Sequence, residues 1–303
     1  MTEFNISIKQ PVDDSFGKSL ISLLSFLQEL YPIQSGDKLI VCLDSISFVY
    51  PFFILPIASQ INKLKEQGID VEIKFEQSGS KEYLQTIKFP FGLSPIIDEN
   101  WKLKLVQFQQ KTYVPISLFP SGEENAIERE HIISTLETII SEKVKLNSAF
   151  RSSLSLLIAE ASDNIINHAC VDFGWIILQV YPQKGFIDLC ICDSGITVLG
   201  SYLKHGKYRI VDDKEALNAA INGMSTKDYA IKRGYGISKS ISLLVDGLGG
   251  KYFIFSGLAA YVNTIDFKQI ISFREDQKFY GTMVAMRIPL TIHEGFNLYK
   301  YIE

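Results

Sequence analysis

Cysteines are few and scattered in this sequence. Its 303 residues include only four, Cys42, Cys170, Cys190 and Cys192. A disulfide-stabilised scaffold needs a higher density of cysteines, and a structural zinc site needs two Cys or His pairs at ligand spacing. Only Cys190 and Cys192 lie close together in the chain. The pattern therefore predicts four reduced thiols in the protein core.

An excess of positive charge is also missing. The sequence has 30 Lys and Arg residues against 34 Asp and Glu residues, which gives a formal net charge of −4. Proteins that bind nucleic acid carry clustered cations that neutralise the phosphates. The charge balance therefore predicts a protein without a nucleic-acid partner.

No apolar run is long enough to cross a membrane. The most apolar stretch, residues 46–58, is interrupted by Pro51 and Pro56, and a membrane-spanning helix needs about 20 residues. Residues 2–10 have neither the positive region nor the apolar region of a signal peptide. We therefore expect a cytoplasmic protein without a membrane partner.

The composition is typical of a folded protein, with 47% apolar and 21% charged residues. The first part alternates strand and helix patterns, at residues 4–9, 17–30, 38–43, 52–67, 71–75 and 81–87. Residues 88–124 are less regular and rich in Pro and Gly. This pattern predicts an α/β domain over residues 1–120, with an irregular extension at its end.

The second part has a different order of elements. Helix patterns occupy residues 126–144, 152–169 and 237–246, and strand patterns occupy residues 175–181, 186–192, 252–256, 261–267 and 283–289. Helices combined with a mainly antiparallel sheet predict an α+β two-layer sandwich over residues 121–290. Residues 291–303 are predicted to form a C-terminal tail.

The predicted helix at residues 152–169 carries a polar stripe. Glu160, Asn164 and His168 are spaced four residues apart, so they follow one edge of the apolar face. The stripe is either a solvated edge with hydrogen bonds between successive turns or a row of functional groups along a pocket. The helix alone does not decide between these two interpretations.

Two further segments have the local chemistry of a binding site. Asp193 and Gly195 directly follow a buried strand, where a carboxylate can point into a pocket, although an ordinary turn has the same pattern. Gly234 and Gly236 precede a predicted helix, with Lys232 and Arg233 beside them. Free amides at a helix start, together with two cations, favour an anion such as phosphate.

The order of these segments resembles that of the GHKL ATPases, whose ATP-binding domain has the Bergerat fold. The segment LIAEASDNIINHA at 157–169 is similar to the N box of that family, DSGIT at 193–197 to its first glycine box, and RGYGISKSISLLVDGLGG at 233–250 to its second. The resemblance covers residues 125–290 and is nearest to the anti-sigma-factor serine kinases. The first box departs from the family pattern, because Thr197 stands at the usual second glycine.

The resemblance implies roles for the polar stripe and the first glycine box. Glu160 would be the general base on water or on an acceptor hydroxyl, and Asn164 would contact the nucleotide and help to hold Mg²⁺. Asp193 would accept a hydrogen bond from the adenine amino group, Gly195 would let the base approach, and Thr282 would support the adenine end. The resemblance assigns no role to His168.

The resemblance also implies how the phosphates are held. Gly234 and Gly236 would surround them, and Lys232, Arg233 or Lys227 would touch them. The segment from about residue 200 to residue 233 would form a lid over ATP. The implied cofactors are ATP and Mg²⁺.

The first domain resembles a STAS-like domain, the fold of anti-sigma-factor antagonists. The similarity is carried by KLIVCLDSISFVYPFFILPIASQINKLKEQGIDVEIKF at 38–75. Where that family carries its phosphorylated serine, this sequence has Tyr50 and Pro51, and Ser45 and Ser47 lie too early in the chain. The resemblance therefore implies a degenerate domain that docks or senses a regulatory protein partner.

Two functions follow from these resemblances as hypotheses. In the first, the protein hydrolyses ATP or transfers its γ-phosphate to Ser or Thr of a partner, because Glu160 stands beside Asn164. In the second, ATP gates a protein-interaction module with little or no catalysis, because Thr197 and the missing phosphoacceptor serine depart from the family patterns. A structural protein with an inactive pocket is the third alternative, and a homodimer is compatible with all three.

Overall fold

The computed structural model of this protein describes residues 2–144, 148–225 and 236–302. Within these residues the chain forms two β-sheets, one with three parallel strands and one with seven antiparallel strands. Helices lie between and beside the two sheets. The predicted mixture of α and β structure is confirmed at this level.

Most of the strands and helices lie where the sequence pattern predicts them. The strands are β1 (Glu3–Ser7), β2 (Lys38–Cys42), β3 (Asp70–Lys74), β4 (Ser117–Pro120), β5 (Phe173–Tyr181), β6 (Phe186–Cys192), β7 (Lys251–Gly257), β8 (Ala259–Asn263), β9 (Lys268–Ser272) and β10 (Phe279–Pro289). The helices are α1 (Phe16–Leu30), α2 (Pro51–Glu66), α3 (Lys81–Thr86), α4 (Trp101–Val106), α5 (Ala126–Val144), α6 (Ser148–Asn164), α7 (Val198–His205), α8 (Asp213–Ile221), α9 (Gly236–Ile241) and α10 (Tyr299–Ile302).

The smaller sheet is built from the first part of the chain, in the order β1-β2-β3. Each crossover between its parallel strands is a helix, first α1 and then α2. Ser15 caps the start of α1, because its hydroxyl accepts a hydrogen bond from the amide of Lys18. Helix α2 begins with Pro51 at its first turn, a position where the missing N–H of proline removes no helical hydrogen bond.

The larger sheet has the order β4-β5-β6-β10-β7-β8-β9. The hairpin of β5 and β6 and the final strand β10, which the sequence pattern predicts as strands, lie next to one another in this order. Two of its strands are not predicted by that pattern. Strand β9 is half-exposed at one edge, and β4 lies within the Pro-rich region.

Strand β4 lies before the predicted boundary between residues 120 and 121, but it pairs with β5 of the larger sheet. The predicted boundary therefore assigns β4, a strand of the larger sheet, to the first predicted domain. The two parts of the chain also share one hydrophobic core, which joins α1 and α2 to residues such as Ile177 and Phe253 of the larger sheet.

Both faces of the larger sheet are covered, because alternate residues of each strand enter different cores. Ile177 and Cys190 face α2, whereas Ile176 and Ile191 face α5 and α6. Helix α2 lies between the two sheets, which explains why 12 of its 16 residues are buried. The larger sheet is thus covered on one side by α5 and α6 and on the other side by α2, a helix from the first part of the chain.

A buried ion pair connects these layers. Arg287 on β10 stands opposite Asp188 on β6, and two of its nitrogens donate to the Asp188 carboxylate at 2.7 and 2.8 Å. The guanidinium also donates to the backbone carbonyl of Asp14 at 2.9 Å, just before α1. It lies over the ring of Phe186, 3.9 Å from the centroid. The pair therefore joins the first part of the chain to the centre of the larger sheet.

The prediction of four core thiols is wrong for Cys170. All four cysteines are free; Cys190 and Cys192 are buried, and Cys42 is half-buried. Cys170, however, is exposed; it follows the helical segment Ile165–Ala169 that continues α6, and its backbone is in the left-handed region. Its sulfur accepts a hydrogen bond from Lys204 Nζ at 3.0 Å.

Candidate functional site

A cavity of about 330 Å³ lies between the larger sheet and the helices on its α6 side. Its floor is apolar, because Ile191, Val284 and Ile254 form one row across β6, β10 and β7. Ile165 and Val198 contribute to its walls. The volume lies at the lower end of the range for small-molecule pockets.

Asp193 is the buried charged residue of this cavity. It directly follows β6 and is only 2% exposed. Its Oδ1 accepts hydrogen bonds from the amides of Gly195 at 2.9 Å and Thr282 at 3.2 Å. Burial raises the pKa of this carboxyl to about 7, although the two amide donors act in the opposite direction. Its Oδ2 accepts no hydrogen bond from the residues that the structure describes, so it is the oxygen available to a ligand.

Two glycines close the backbone around Asp193. An added Cβ at Gly195 would lie 1.9 Å from the carbonyl oxygen of Ala169, and one at Gly281 would lie 2.1 Å from the carbonyl oxygen of Asp193. Gly281 also has a φ of +94°, which favours glycine. Packing within the protein therefore requires both glycines, whether or not a ligand also approaches Gly195.

Replacing Gly195 with alanine should lower the free energy of unfolding by about 1 to 3 kcal/mol, because the turn must move away from Ala169. Gly17 is the matched control, since it lies in a helix and an added Cβ there meets no atom within 4 Å. Urea unfolding followed by circular dichroism compares the two variants. Equal midpoints for Gly195→Ala and Gly17→Ala would show that the close approach has no energetic consequence.

Thr282 connects the Asp193 turn to the rest of the cavity. Its amide donates to Asp193, and its hydroxyl lies 2.9 Å from the hydroxyl of Ser256 on β7. Ser256 in turn accepts a hydrogen bond from the amide of Val198 at 2.9 Å. Thr197, which replaces a glycine of the family pattern, caps α7 by accepting from the amide of Gly200 at 3.1 Å. This local role accounts for a threonine at that position.

The three residues of the polar stripe have different surroundings. Asn164 and His168 line the cavity, and His168 Nδ1 lies 3.3 Å from the hydroxyl of Ser201. The Asn164 side chain makes no hydrogen bond to another described residue. Glu160 is not part of the cavity lining. It is 5% exposed, and its Oε2 accepts a hydrogen bond from the amide of Gly236 at 2.7 Å.

The second glycine segment is described only from Gly236 onward. Gly236 has a φ of +71° and lines the cavity at the start of α9. Its amide donates to Glu160, so this amide is not available to a phosphate. The predicted residues Lys227, Lys232, Arg233 and Gly234 lie outside the described residues.

The roof of the cavity lies in the segment that the resemblance implies as a lid, about residues 200–233, but the sequence analysis did not predict the two helices within it. Helices α7 and α8 pack on each other around Tyr202, Ala216 and Ala219, and the hydroxyl of Tyr202 donates to the carbonyl of Met224. Tyr202 and Met224 both line the cavity. The amphipathic pattern of α7 and the cap residue Asp212 of α8 are signals that predict these helices.

Two classes of feature are not found in the part of the chain that the structure describes. No group of three or more His, Cys, Asp or Glu side chains is arranged to hold a metal ion. No helix there combines the length and apolar character needed to cross a membrane.

This chain matches no protein-family model, no curated protein and no solved structure.

Proposed function

We propose that the cavity binds ATP. The observation that carries this proposal is the buried carboxylate of Asp193, which has one free oxygen at the edge of an apolar floor. A purine has two apolar faces and, in adenine, an exocyclic amine that donates a hydrogen bond. The floor of Ile191, Val284 and Ile254 suits the faces, and Asp193 Oδ2 suits the amine.

The proposal includes the finer fold. The larger sheet with α5, α6 and α9 would be a Bergerat-type ATP-binding domain, and the smaller sheet with α1 and α2 would be a STAS-like unit. The sequence order of the three boxes supports the first assignment, because residues of all three line one cavity. The strand–helix alternation around β2 and α2 supports the second.

Mg²⁺ fits this site as a partner of the phosphates. The Asn164 side chain lines the cavity, and its amide oxygen is a ligand type that Mg²⁺ accepts. The described residues contain no acidic cluster that holds a metal alone, which agrees with an ion held mainly by phosphate oxygens and water. Mg²⁺ would neutralise phosphate charge beside Asn164, and Lys232, Arg233 and Gly234 remain the proposed phosphate contacts.

Among the two hypotheses for what ATP does, the geometry favours nucleotide gating of protein interactions. Glu160, which the resemblance implies as the general base, does not line the cavity, and its Oε2 accepts a hydrogen bond from the Gly236 amide, so it is not placed to activate water in the cavity. ATP hydrolysis or phosphate transfer to Ser or Thr is the second candidate. It is supported by the similarity of residues 157–169 to the N box of the GHKL ATPases.

A regulatory partner would use a particular part of the smaller unit. Helix α2 is buried between the two sheets except near its C-terminal end, so little of its surface is accessible to another protein. The accessible surfaces of this unit include the exposed positions of β1 and β3. We therefore propose that a partner contacts the smaller sheet rather than α2.

Binding of ATP with Mg²⁺ should depend on pH through Asp193. The ionised carboxylate is the better acceptor for an amine, and its pKa is raised to about 7. Affinity should therefore be about tenfold lower at pH 6 than at pH 8. Isothermal titration calorimetry at both pH values, followed by a phosphate-release assay on the same sample, measures binding and turnover.

The Asp193→Asn variant is the control for this experiment, because titration of the nucleotide affects both proteins alike. Its pH dependence should lack the component that Asp193 supplies. If the wild type binds no ATP at pH 6 and none at pH 8, the proposed function is refuted.

A further inference from the structure

The contact between Glu160 and Gly236 joins two elements that are 76 residues apart in the sequence. Glu160 lies in α6, and the amide of Gly236 is the first described amide of α9. The distance from Glu160 Oε2 to the Gly236 nitrogen is 2.7 Å, which is within the range of charge-assisted hydrogen bonds. Glu160 is thus engaged with the start of α9 rather than with the cavity.

A carboxylate at this position stabilises the start of α9 in two ways. The first amides of a helix have no acceptor within the helix, and a side-chain oxygen satisfies one of them. The positive end of the helix dipole also attracts a negative charge. The residues that follow Gly236, namely Ile237, Ser238 and Lys239, line the cavity. The orientation of α9 therefore determines part of the cavity wall.

The surroundings of Glu160 do not suit a general base. A base must reach a water molecule or hydroxyl at hydrogen-bond distance, but Glu160 is 5% exposed and does not belong to the cavity lining. The buried Tyr252 is close enough that the charge of Glu160 adds to the effect of burial in raising the pKa of the Tyr252 hydroxyl. Glu160 therefore lies among buried groups behind the wall of the cavity.

We infer that Glu160 is a positioning residue, which fixes the first turn of α9 and thereby the cavity wall at Ile237, Ser238 and Lys239. The expected effect of Glu160 on nucleotide binding rests on the proposed function. The role of Glu160 in fixing the first turn of α9 does not. It replaces the role of general base that the sequence resemblance implies for this residue.

The structural part is tested without nucleotide by amide hydrogen exchange of Gly236, measured by NMR. Glu160→Gln keeps a carbonyl oxygen that can accept from Gly236, whereas Glu160→Ala removes the acceptor. We expect protection of the Gly236 amide in the wild type and in Glu160→Gln, and at least tenfold faster exchange in Glu160→Ala. Equal exchange in all three proteins would overturn the inference.

Glu137 provides the matched control. It is half-buried on α5 and also accepts a hydrogen bond from a second helix, at 2.7 Å from the Ser155 hydroxyl of α6. Glu137→Ala should leave the exchange of Gly236 unchanged, because this contact does not involve α9. A similar increase in Glu137→Ala would mean that general loosening of α6, not loss of the Glu160 contact, controls the amide.

The nucleotide part is tested by calorimetry and phosphate release with ATP and Mg²⁺. A positioning role predicts that Glu160→Gln binds within about threefold of the wild type and keeps its turnover per bound ATP, whereas Glu160→Ala binds at least tenfold more weakly. A general base predicts instead that both variants retain affinity and lose turnover, which would overturn the inference. If the wild type does not bind ATP, the proposed function fails, and the exchange of Gly236 still decides the positioning role.

Discussion

Replacing Arg287 with methionine should lower the free energy of unfolding by about 3 to 5 kcal/mol, because it leaves the Asp188 carboxylate buried without its partner. Asp188 has no exposed surface, and Arg287 is 8% exposed. Methionine keeps much of the side-chain length, so the loss is mainly that of the ion pair and its hydrogen bonds. Chemical unfolding of the purified variant measures the change.

The same chain contains a control with similar geometry and a different environment. Arg274 donates to both oxygens of Asp276 at 3.1 and 3.0 Å, but its side chain is 68% exposed. Arg274→Met should change stability little, because solvent-exposed ion pairs contribute little. A second control is the double variant Asp188→Leu with Arg287→Met, which removes both charges and should recover most of the lost stability. Equal destabilisation by Arg287→Met and Arg274→Met would contradict the role of burial.

Replacing Asp193 with asparagine should weaken ATP binding by about 10- to 150-fold, which corresponds to the loss of a hydrogen bond of 1.5 to 3 kcal/mol to a charged group. The amide oxygen must remain with its two backbone donors, Gly195 and Thr282. The new NH₂ group then takes the place of Oδ2, where it would face the donor amine of adenine. Calorimetric titration with ATP and Mg²⁺ measures the affinity.

The same substitution should increase stability at high pH. The folded-state pKa of Asp193 is about 7 against an ordinary value of 3.8, so the buried carboxylate destabilises the protein increasingly as the pH rises from 3.8 to 7. Above pH 7 the difference between Asp193→Asn and the wild type should reach on the order of 4 kcal/mol, and below pH 4 it should disappear. The free energy of unfolding of both proteins is measured across this pH range. Other titrating groups are present in both proteins, so the difference between them reports Asp193. A variant that is less stable than the wild type at pH 8 would contradict it.

The fold elements with strong periodicity could be predicted from the sequence, and the weakly patterned ones could not. Helix α5 and the hairpin of β5 and β6 agree with their predicted bounds to within two residues. Strand β9 escapes prediction because it lies at the sheet edge and exposes both its faces in part. Strand β4 escapes because it lies within a Pro-rich region, and its pairing with β5 depends on residues far away in the sequence.

The sequence predicted the position of Asp193 in the candidate site, but not the contacts between side chains of different elements around it. The position of Asp193 directly after an apolar strand indicated that its carboxylate could reach a pocket, and the structure brings it together with Asn164 and Thr282. The contact between Glu160 and Gly236 was not predictable, because helical spacing gives the direction of a side chain but not its partner on another element. A single charge inside each apolar strand, Asp188 and Arg287, was a signal for the buried pair that pattern reasoning passed over.

In the proposed complex, the free oxygen of Asp193 receives the amine of a purine at the edge of the apolar floor. A crystal structure of the protein with a non-hydrolysable ATP analogue and Mg²⁺ tests it most directly. We expect the base over Ile191 and Val284, with its exocyclic nitrogen within hydrogen-bond distance of Asp193 Oδ2 and the phosphates toward Asn164 and α9. An analogue bound elsewhere, or a base turned away from Asp193, would contradict the account.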